Sequence, residues 1–178
     1  MTHAPVDALD RARRVRVMVF DVDGVLTDGK LWYGPQGETL KAFYVRDGMG
    51  LRLLAESGIA LALLTSRRSE AVALRAAELR IEHVLQGAEP KHAPFAALLA
   101  QLGVPQDHAG YMGDDLVDLP VLRRCGCACA PAGAPEPVQR HAHYVTTTAA
   151  RAGAVREVCE FVLRAQGKLD AALGAYLA

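Results

Sequence analysis

The sequence predicts an α/β fold: a doubly wound, mostly parallel sheet with helices on both faces. Short apolar runs alternate with longer amphipathic ones, and the runs stop abruptly at polar residues or glycine. The residues with the most chemistry fall just where those runs stop. With 178 residues the chain can bury a full core, and 1–178 reads as one domain without a linker or repeat.

Val15–Phe20 (VRVMVF) is the first strand and runs straight into Asp21. Lys30–Gly34 and Glu38–Val45 flank the turn-forming Pro35, Gln36 and Gly37, which predicts an inserted β-hairpin. Trp32, Tyr33, Phe43 and Tyr44 are too many exposed aromatics for a free hairpin, so it should pack on something, a second subunit being the candidate. A helix over 48–57 ends at Gly58, and the next strand is Ile59–Thr65 (IALALLT). Then come a helix over 69–79, a strand at His83–Gln86, a helix over 91–102 closed by Gly103, and a strand at Gly110–Met112. A helix over 115–124 and a last one over Ala154–Gln166 complete the pattern. The tail 167–178 is expected either to fray or to reach a neighbouring subunit's open site, with Lys168 near the bound anion and Leu169, Leu173 and Leu177 as cover.

The 20 basic and 20 acidic residues cancel, which gives no electrostatic reason to expect nucleic acid or an acidic membrane as partner. The longest apolar run, Ile59–Leu64, is too short to span a bilayer. Asp7, Asp10, Arg11, Arg13 and Arg14 interrupt any leader-like stretch, so a cytoplasmic protein is expected. Cys125, Cys127 and Cys129 lack the second cluster of a zinc site; their spacing puts them on one face of a strand as small apolar residues, and with Cys159 no disulfide framework is expected. His83, His92, His108, His141 and His143 show no ligand spacing beyond one His-x-His and read as surface residues.

In parallel α/β sheets ligands bind beyond the carboxyl ends of the strands, and four successive strand ends here carry reactive groups. Asp21 and Asp23 follow the first; so much negative charge is costly without a cation, and Mg²⁺ fits an oxygen-only set. Thr65 and Ser66 follow the second and offer hydroxyls and amides before a helix, a natural phosphate position. Lys91 opens the helix after the third. Gly113, Asp114 and Asp115 follow the fourth, with Asp118 one turn on.

This ordered set resembles the haloacid dehalogenase superfamily. The resemblance implies Asp21 as the nucleophile that forms an aspartyl phosphate, and Asp23 as the acid and then the base. It implies that Thr65, assisted by Ser66, binds the transferring phosphoryl group, and that Lys91 neutralises it. It further implies that Asp21, the Asp23 carbonyl and Asp114 hold Mg²⁺, with Asp115 in support. The spacing leaves no room for a cap domain at either usual insertion point, so the site of one subunit would stand open to water.

The stretches DVDGVLTDGKLWYGPQGETLKAFYVRDGMG, GDDLVDLPVL and GAVREVCEFVLRAQGKLDAALG are similar to the 3-deoxy-D-manno-octulosonate 8-phosphate phosphatase family. That resemblance implies a capless homotetramer with its hairpins at the centre, which hydrolyses a phosphorylated sugar acid in lipopolysaccharide synthesis in a Gram-negative bacterium. Ser66 stands where the family commonly has glycine. Arg67, Arg75 and Arg46 are the candidates for the substrate carboxylate, because the guanidinium fork matches it bidentately. Two other readings stay open: a phosphatase of a nine-carbon sugar acid 9-phosphate, and a receiver-like signalling domain that is phosphorylated without turnover.

Overall fold

The computed structural model describes residues 6–177. In chain order its elements begin with α1 (Val6–Arg13), β1 (Val17–Phe20), β2 (Trp32–Gly34), β3 (Gly37–Leu40), α2 (Val45–Glu56) and β4 (Ala60–Thr65). Next come α3 (Glu70–Glu78), β5 (His83–Gln86), α4 (His92–Leu102), β6 (Ala109–Met112) and α5 (Leu119–Leu122). The chain continues through β7 (Cys127–Ala132), α6 (Glu136–Gln139), β8 (Tyr144–Ala149), α7 (Ala154–Ala165) and α8 (Leu169–Gly174).

Alternation along the strands decides the architecture. Met18 and Phe20 of β1 enter one core while Val17 and Val19 enter another, and all are buried. Leu61 and Leu63 against Ala62 and Leu64 repeat the split in β4. Strands apolar on both sides must be covered on both sides, and they are. α1, α2, α3 and α7 supply the first core, α4, α5 and α6 the second. The six strands pair in the order β5-β4-β1-β6-β7-β8, parallel throughout. The chain winds outward from β1 to β5, then returns to the other side of β1 at β6. β1 and β6 therefore flank the point where the winding reverses, which in such sheets is a binding crevice.

Only the hairpin β2–β3 and α2 lie between β1 and β4, and only α3 and β5 between β4 and Lys91, so no cap domain occupies either position among the described residues. The hairpin is a separate sheet of two antiparallel strands. Trp32 and Tyr33 are exposed on it, but Phe43 packs against the first core and Tyr44 is half-buried, so the expected four exposed aromatics are fewer.

Several expectations are corrected. The helix over 115–124 is instead a 3-10 turn at Leu116–Asp118 followed by the single turn of α5, because the Asp118 carboxylate turns inward and Pro120 has no N–H to continue the ladder. α2 begins at Val45, earlier than expected, and buries its glycines against neighbours; a Cβ on Gly50 would lie 2.9 Å from the Arg156 Cα of α7. Cys127 and Cys129 share the first core, but Cys125 precedes the strand and enters the second. His143 is a structural acceptor, its Nδ1 2.8 Å from the Ala128 amide that donates to it. The tail neither frays nor stands free at its start: α8 folds back, Leu169 is buried, and Lys168 Nζ donates to the Ser57 carbonyl at 3.0 Å. That carbonyl is one of the orphan acceptors at the end of α2. Lys168 is therefore occupied within its own chain, while Tyr176 and Leu177 remain exposed.

Asp47 joins α2 to α7. Its buried carboxylate accepts the Arg156 amide at 2.9 Å, and its other oxygen has no partner among the described residues. Burial, only partly offset by that amide and by the Arg156 charge, raises its pKa to about 6. An unfolded aspartate titrates near about 3.9, so between the two values the folded state holds the extra proton and stability falls as pH rises. Asp47→Asn removes that dependence. Its Tm relative to wild type should rise between about pH 4 and about pH 7; a pH-independent difference in thermal melts contradicts this.

Candidate active site

The crevice between β1 and β6 collects the expected residues other than Arg46 and Arg75. Asp21 extends β1, its amide bound to the Met112 carbonyl of β6 at 2.9 Å, so its side chain starts from a fixed backbone. Asp21 Oδ1 accepts the Val22 amide at 2.7 Å, and Oδ2 lies 2.7 Å from Lys91 Nζ. Lys91 reaches this point from the start of α4, with its side chain 1% exposed. A buried ammonium is tolerable only when paired, and Lys91 has a second carboxylate, Asp118 Oδ1, also at 2.7 Å.

Asp118 holds the site together. Its Oδ1 also accepts from the Tyr111 hydroxyl at 2.5 Å, and its Oδ2 accepts the amides of Asp114 at 2.9 Å and Asp115 at 3.1 Å. Both oxygens are thus spent on protein donors. Asp114 is different: its Oδ1 is buried and finds no hydrogen-bond partner among the described residues. Its side chain lies against Gly24, where a Cβ would come within 1.9 Å of Oδ2 and where φ is +83°, so only glycine serves there. Asp115 is exposed and caps the following turn through the Leu116 amide at 2.7 Å.

Crowding shifts the acids. Burial, then the charge of Asp118, raises the Asp21 pKa to about 7 against the pull of Lys91. Burial, then Asp21 and Asp118, raises Asp114 to about 8. Burial works against the Lys91 charge, but the two aspartates outweigh it and hold the ammonium above the ordinary lysine range.

A cavity of about 310 Å³ opens over this cluster. Asp21, Asp23, Lys91, Asp114 and Asp115 line it, with Thr65, Ser66 and Arg67 on the β4 side and Leu31 and Val117 as apolar wall. Thr65 is buried, and its hydroxyl accepts the Arg67 amide at 3.3 Å. The Ser66 hydroxyl donates to the Ala88 carbonyl at 3.3 Å. Arg67 Nε stands 3.8 Å from Asp23 Oδ2. Arg75 and Arg46 do not line the cavity: Arg75 pairs with Glu78 at 2.8 Å beside the Phe43 ring, and Arg46 is exposed on the first turn of α2. Within one chain, Arg67 alone of the three arginines reaches the site.

Residues 90–158 match the haloacid dehalogenase-like hydrolase family. Over 168 residues the chain is 45% identical to the 3-deoxy-D-manno-octulosonate 8-phosphate phosphatase of Escherichia coli K12, covering 94% of this chain and 89% of that protein. The chain belongs to the 3-deoxy-D-manno-octulosonate 8-phosphate phosphatase family. Within that phosphatase family, the Moraxella catarrhalis structure in complex with a magnesium ion, a phosphate ion and a KDO molecule is 40% identical, with TM-score 0.93, over 96% of this chain and 98% of that one. A cobalt-bound form from Haemophilus influenzae is 39% identical, with TM-score 0.88, over 90% and 94%.

The site tests well against a hard divalent cation. Ligand oxygens of Asp21, Asp114 and Asp118 lie within 4.8 Å of one another, and the partnerless Asp114 oxygen is the donor that such an ion satisfies. Sequence reasoning placed Asp118 near the site without giving it a role, although its spacing from Asp115 is that of a capping box, which both residues form. Tyr111 was missed, since a tyrosine inside a buried strand looks like core. Asp118→Ala would strand the Tyr111 hydroxyl and two amides, and should cost about 3 kcal/mol in chemical denaturation. Tyr111→Phe should cost about 1 kcal/mol; equal stability of Asp118→Ala and wild type would refute this division of labour.

Proposed function

We propose that this chain is the Mg²⁺-dependent phosphomonoesterase that hydrolyses 3-deoxy-D-manno-octulosonate 8-phosphate to the free sugar acid and phosphate, in lipopolysaccharide synthesis. The observation that carries the reading is the relative of the same fold holding a magnesium ion, a phosphate ion and the KDO molecule together. The whole chain acts as one capless catalytic unit.

Asp21 is the nucleophile. Its carboxylate attacks phosphorus, the bond to the sugar oxygen breaks, and Asp23 gives its proton to that oxygen as it leaves. Asp23 then takes a proton from water; the water oxygen attacks the aspartyl phosphate and the bond to Asp21 breaks, freeing phosphate. Lys91 neutralises charge on the transferring group and orients Asp21, to which it is bound at 2.7 Å. Thr65 and Ser66 bind the phosphoryl oxygens, and Arg67 takes the sugar-acid carboxylate. Asp21, the Asp23 carbonyl and Asp114 would hold Mg²⁺, with Asp115 in support. When bound, the ion supplies positive charge against the phosphoryl oxygens and the crowded carboxylates.

Exposed Trp32, Tyr33 and Leu40 on the hairpin support a homotetramer joined there, since apolar side chains grouped on one thin element favour a partner. Among the described residues no helix is long and apolar enough to cross a membrane, and a cytoplasmic enzyme fits a phosphorylated sugar substrate. Light scattering at micromolar concentration should return four chains; a stable, active monomer overturns the assembly.

Asp21→Asn should fold and lose turnover, while Asp23→Asn should lose ~10²-fold or more. Chelation should stop activity, Mg²⁺ should restore it, and full rates in excess chelator would refute the metal's role. The raised Asp21 and Asp114 pKa values set the sign of a pH effect. Below about pH 6 protons relieve the crowding, so chelation should lower Tm less there than at about pH 8. Rates on a panel of sugar phosphates test the substrate: the eight-carbon acid 8-phosphate should have the highest kcat/KM, and a higher value for a nine-carbon acid 9-phosphate would reassign it.

A further inference from the structure

Lys41 stands directly after β3, where its neighbours Thr39 and Leu40 are exposed, yet its own side chain is 1% exposed. Burying an ammonium beneath so thin an element is costly unless it is paired, and Lys41 has two partners. Its Nζ lies 2.5 Å from Asp23 Oδ1 and 3.1 Å from Glu38 Oε1. Thr27 Oγ1 also approaches Asp23 Oδ1, at 3.5 Å. Among the described residues the other oxygen, Asp23 Oδ2, has only the Arg67 cation nearby, at 3.8 Å and beyond hydrogen-bond range. Lys41 does not line the cavity, whereas Asp23 does. It therefore approaches the carboxylate from behind.

We infer that Lys41 is the positioning residue of the acid–base step: it holds Asp23 by Oδ1 and leaves Oδ2 as the oxygen that carries the proton. The inference rests on the reading of Asp23 as acid and base. A carboxyl rotating freely about its Cβ–Cγ bond would present either oxygen, protonated or not, at varying distance from the ester. An ammonium only donates hydrogen bonds, so the oxygen it binds stays an acceptor and the proton is confined to the oxygen facing the substrate. As the phosphorus–oxygen bond breaks, its electron pair goes to the ester oxygen and the Oδ2 proton follows. Because Lys41 belongs to the hairpin segment, the element that carries Trp32 and Tyr33 outward also carries the group that orients the acid inward.

The test compares leaving groups on the magnesium-loaded enzyme, with kcat/KM reporting the steps up to ester cleavage. An alkyl or sugar alkoxide needs a proton to leave; p-nitrophenolate does not. Lys41→Met should reduce kcat/KM on alkyl and sugar phosphates by ~10-fold or more while changing p-nitrophenyl phosphate by less than about threefold. Lys41→Arg, which keeps a cation, should recover part of the alkyl rate. If Lys41→Met does not fold, Lys41→Gln takes its place with the same expectation. Equal losses on all esters, no loss on any, or Lys41→Arg as poor as Lys41→Met would overturn the inference. Asp23→Asn run beside it separates the two readings: if it lacks the leaving-group selectivity, the role of Asp23 itself fails. If Asp23→Asn has the selectivity and Lys41→Met lacks it, only the positioning role fails.

Discussion

Negative charge packed into the crevice between β1 and β6 is the constraint on which the rest of the structure depends. Asp21, Asp114 and Asp118 bring their carboxylates within a few ångströms of one another, and burial, then that crowding, raises the Asp21 and Asp114 pKa values. Left alone, such a cluster would push itself apart or fill with protons. Lys91 prevents this from inside, bridging Asp21 and Asp118 with a buried ammonium that also reaches the Tyr111 hydroxyl at 3.5 Å. The lysine can do so only because α4 starts just after β5, where the sheet aims the helix N-terminus back toward β1.

The carboxylates are not equivalent, and hydrogen bonding separates their tasks. Asp118 is saturated by Lys91, Tyr111 and two amides, which makes it a fixed part of the frame. Among the described residues Asp114 keeps a buried oxygen without a partner, and Asp21 lines the cavity against Lys91. Asp23 differs again, being held by the hairpin rather than by the sheet. One crevice thus contains four carboxylates in four different settings, distinguished by what each side chain already touches.

Among the described residues no cap domain stands over this crevice. The insertions after β1 and β4 are short, yet the hairpin is tied to the site through Lys41 and Glu38. Its outward face carries Trp32, Tyr33 and Leu40, apolar surface that a lone subunit leaves in water. The α2–α7 contact behind it is tight enough to need Gly50, so the segment leading out of the hairpin into α2 is anchored to the frame.

Strand positions and the order of reactive residues were legible in the sequence, because apolar runs bounded by Asp, Thr and Gly mark strand ends locally. Asp21, Asp23, Thr65, Lys91 and Asp114 could be singled out for that reason. β8 was not read as a strand, since Tyr144–Ala149 is a half-exposed, threonine-rich edge without a continuous apolar run. Nor could local pattern separate Arg67 from Arg75 and Arg46: all three are arginines near helix starts or on helices, and only the packing decides which reaches the cavity. Local pattern likewise leaves Lys41 unmarked, since nothing near it in the sequence shows that its side chain is buried. By itself the sequence determined the fold class, the family and the residues at the strand ends, because these depend on periodicity and on chemistry a few residues apart. Tertiary structure alone decided which carboxylate is saturated, which is free and which lysine is buried, because those depend on distances between segments far apart in the chain.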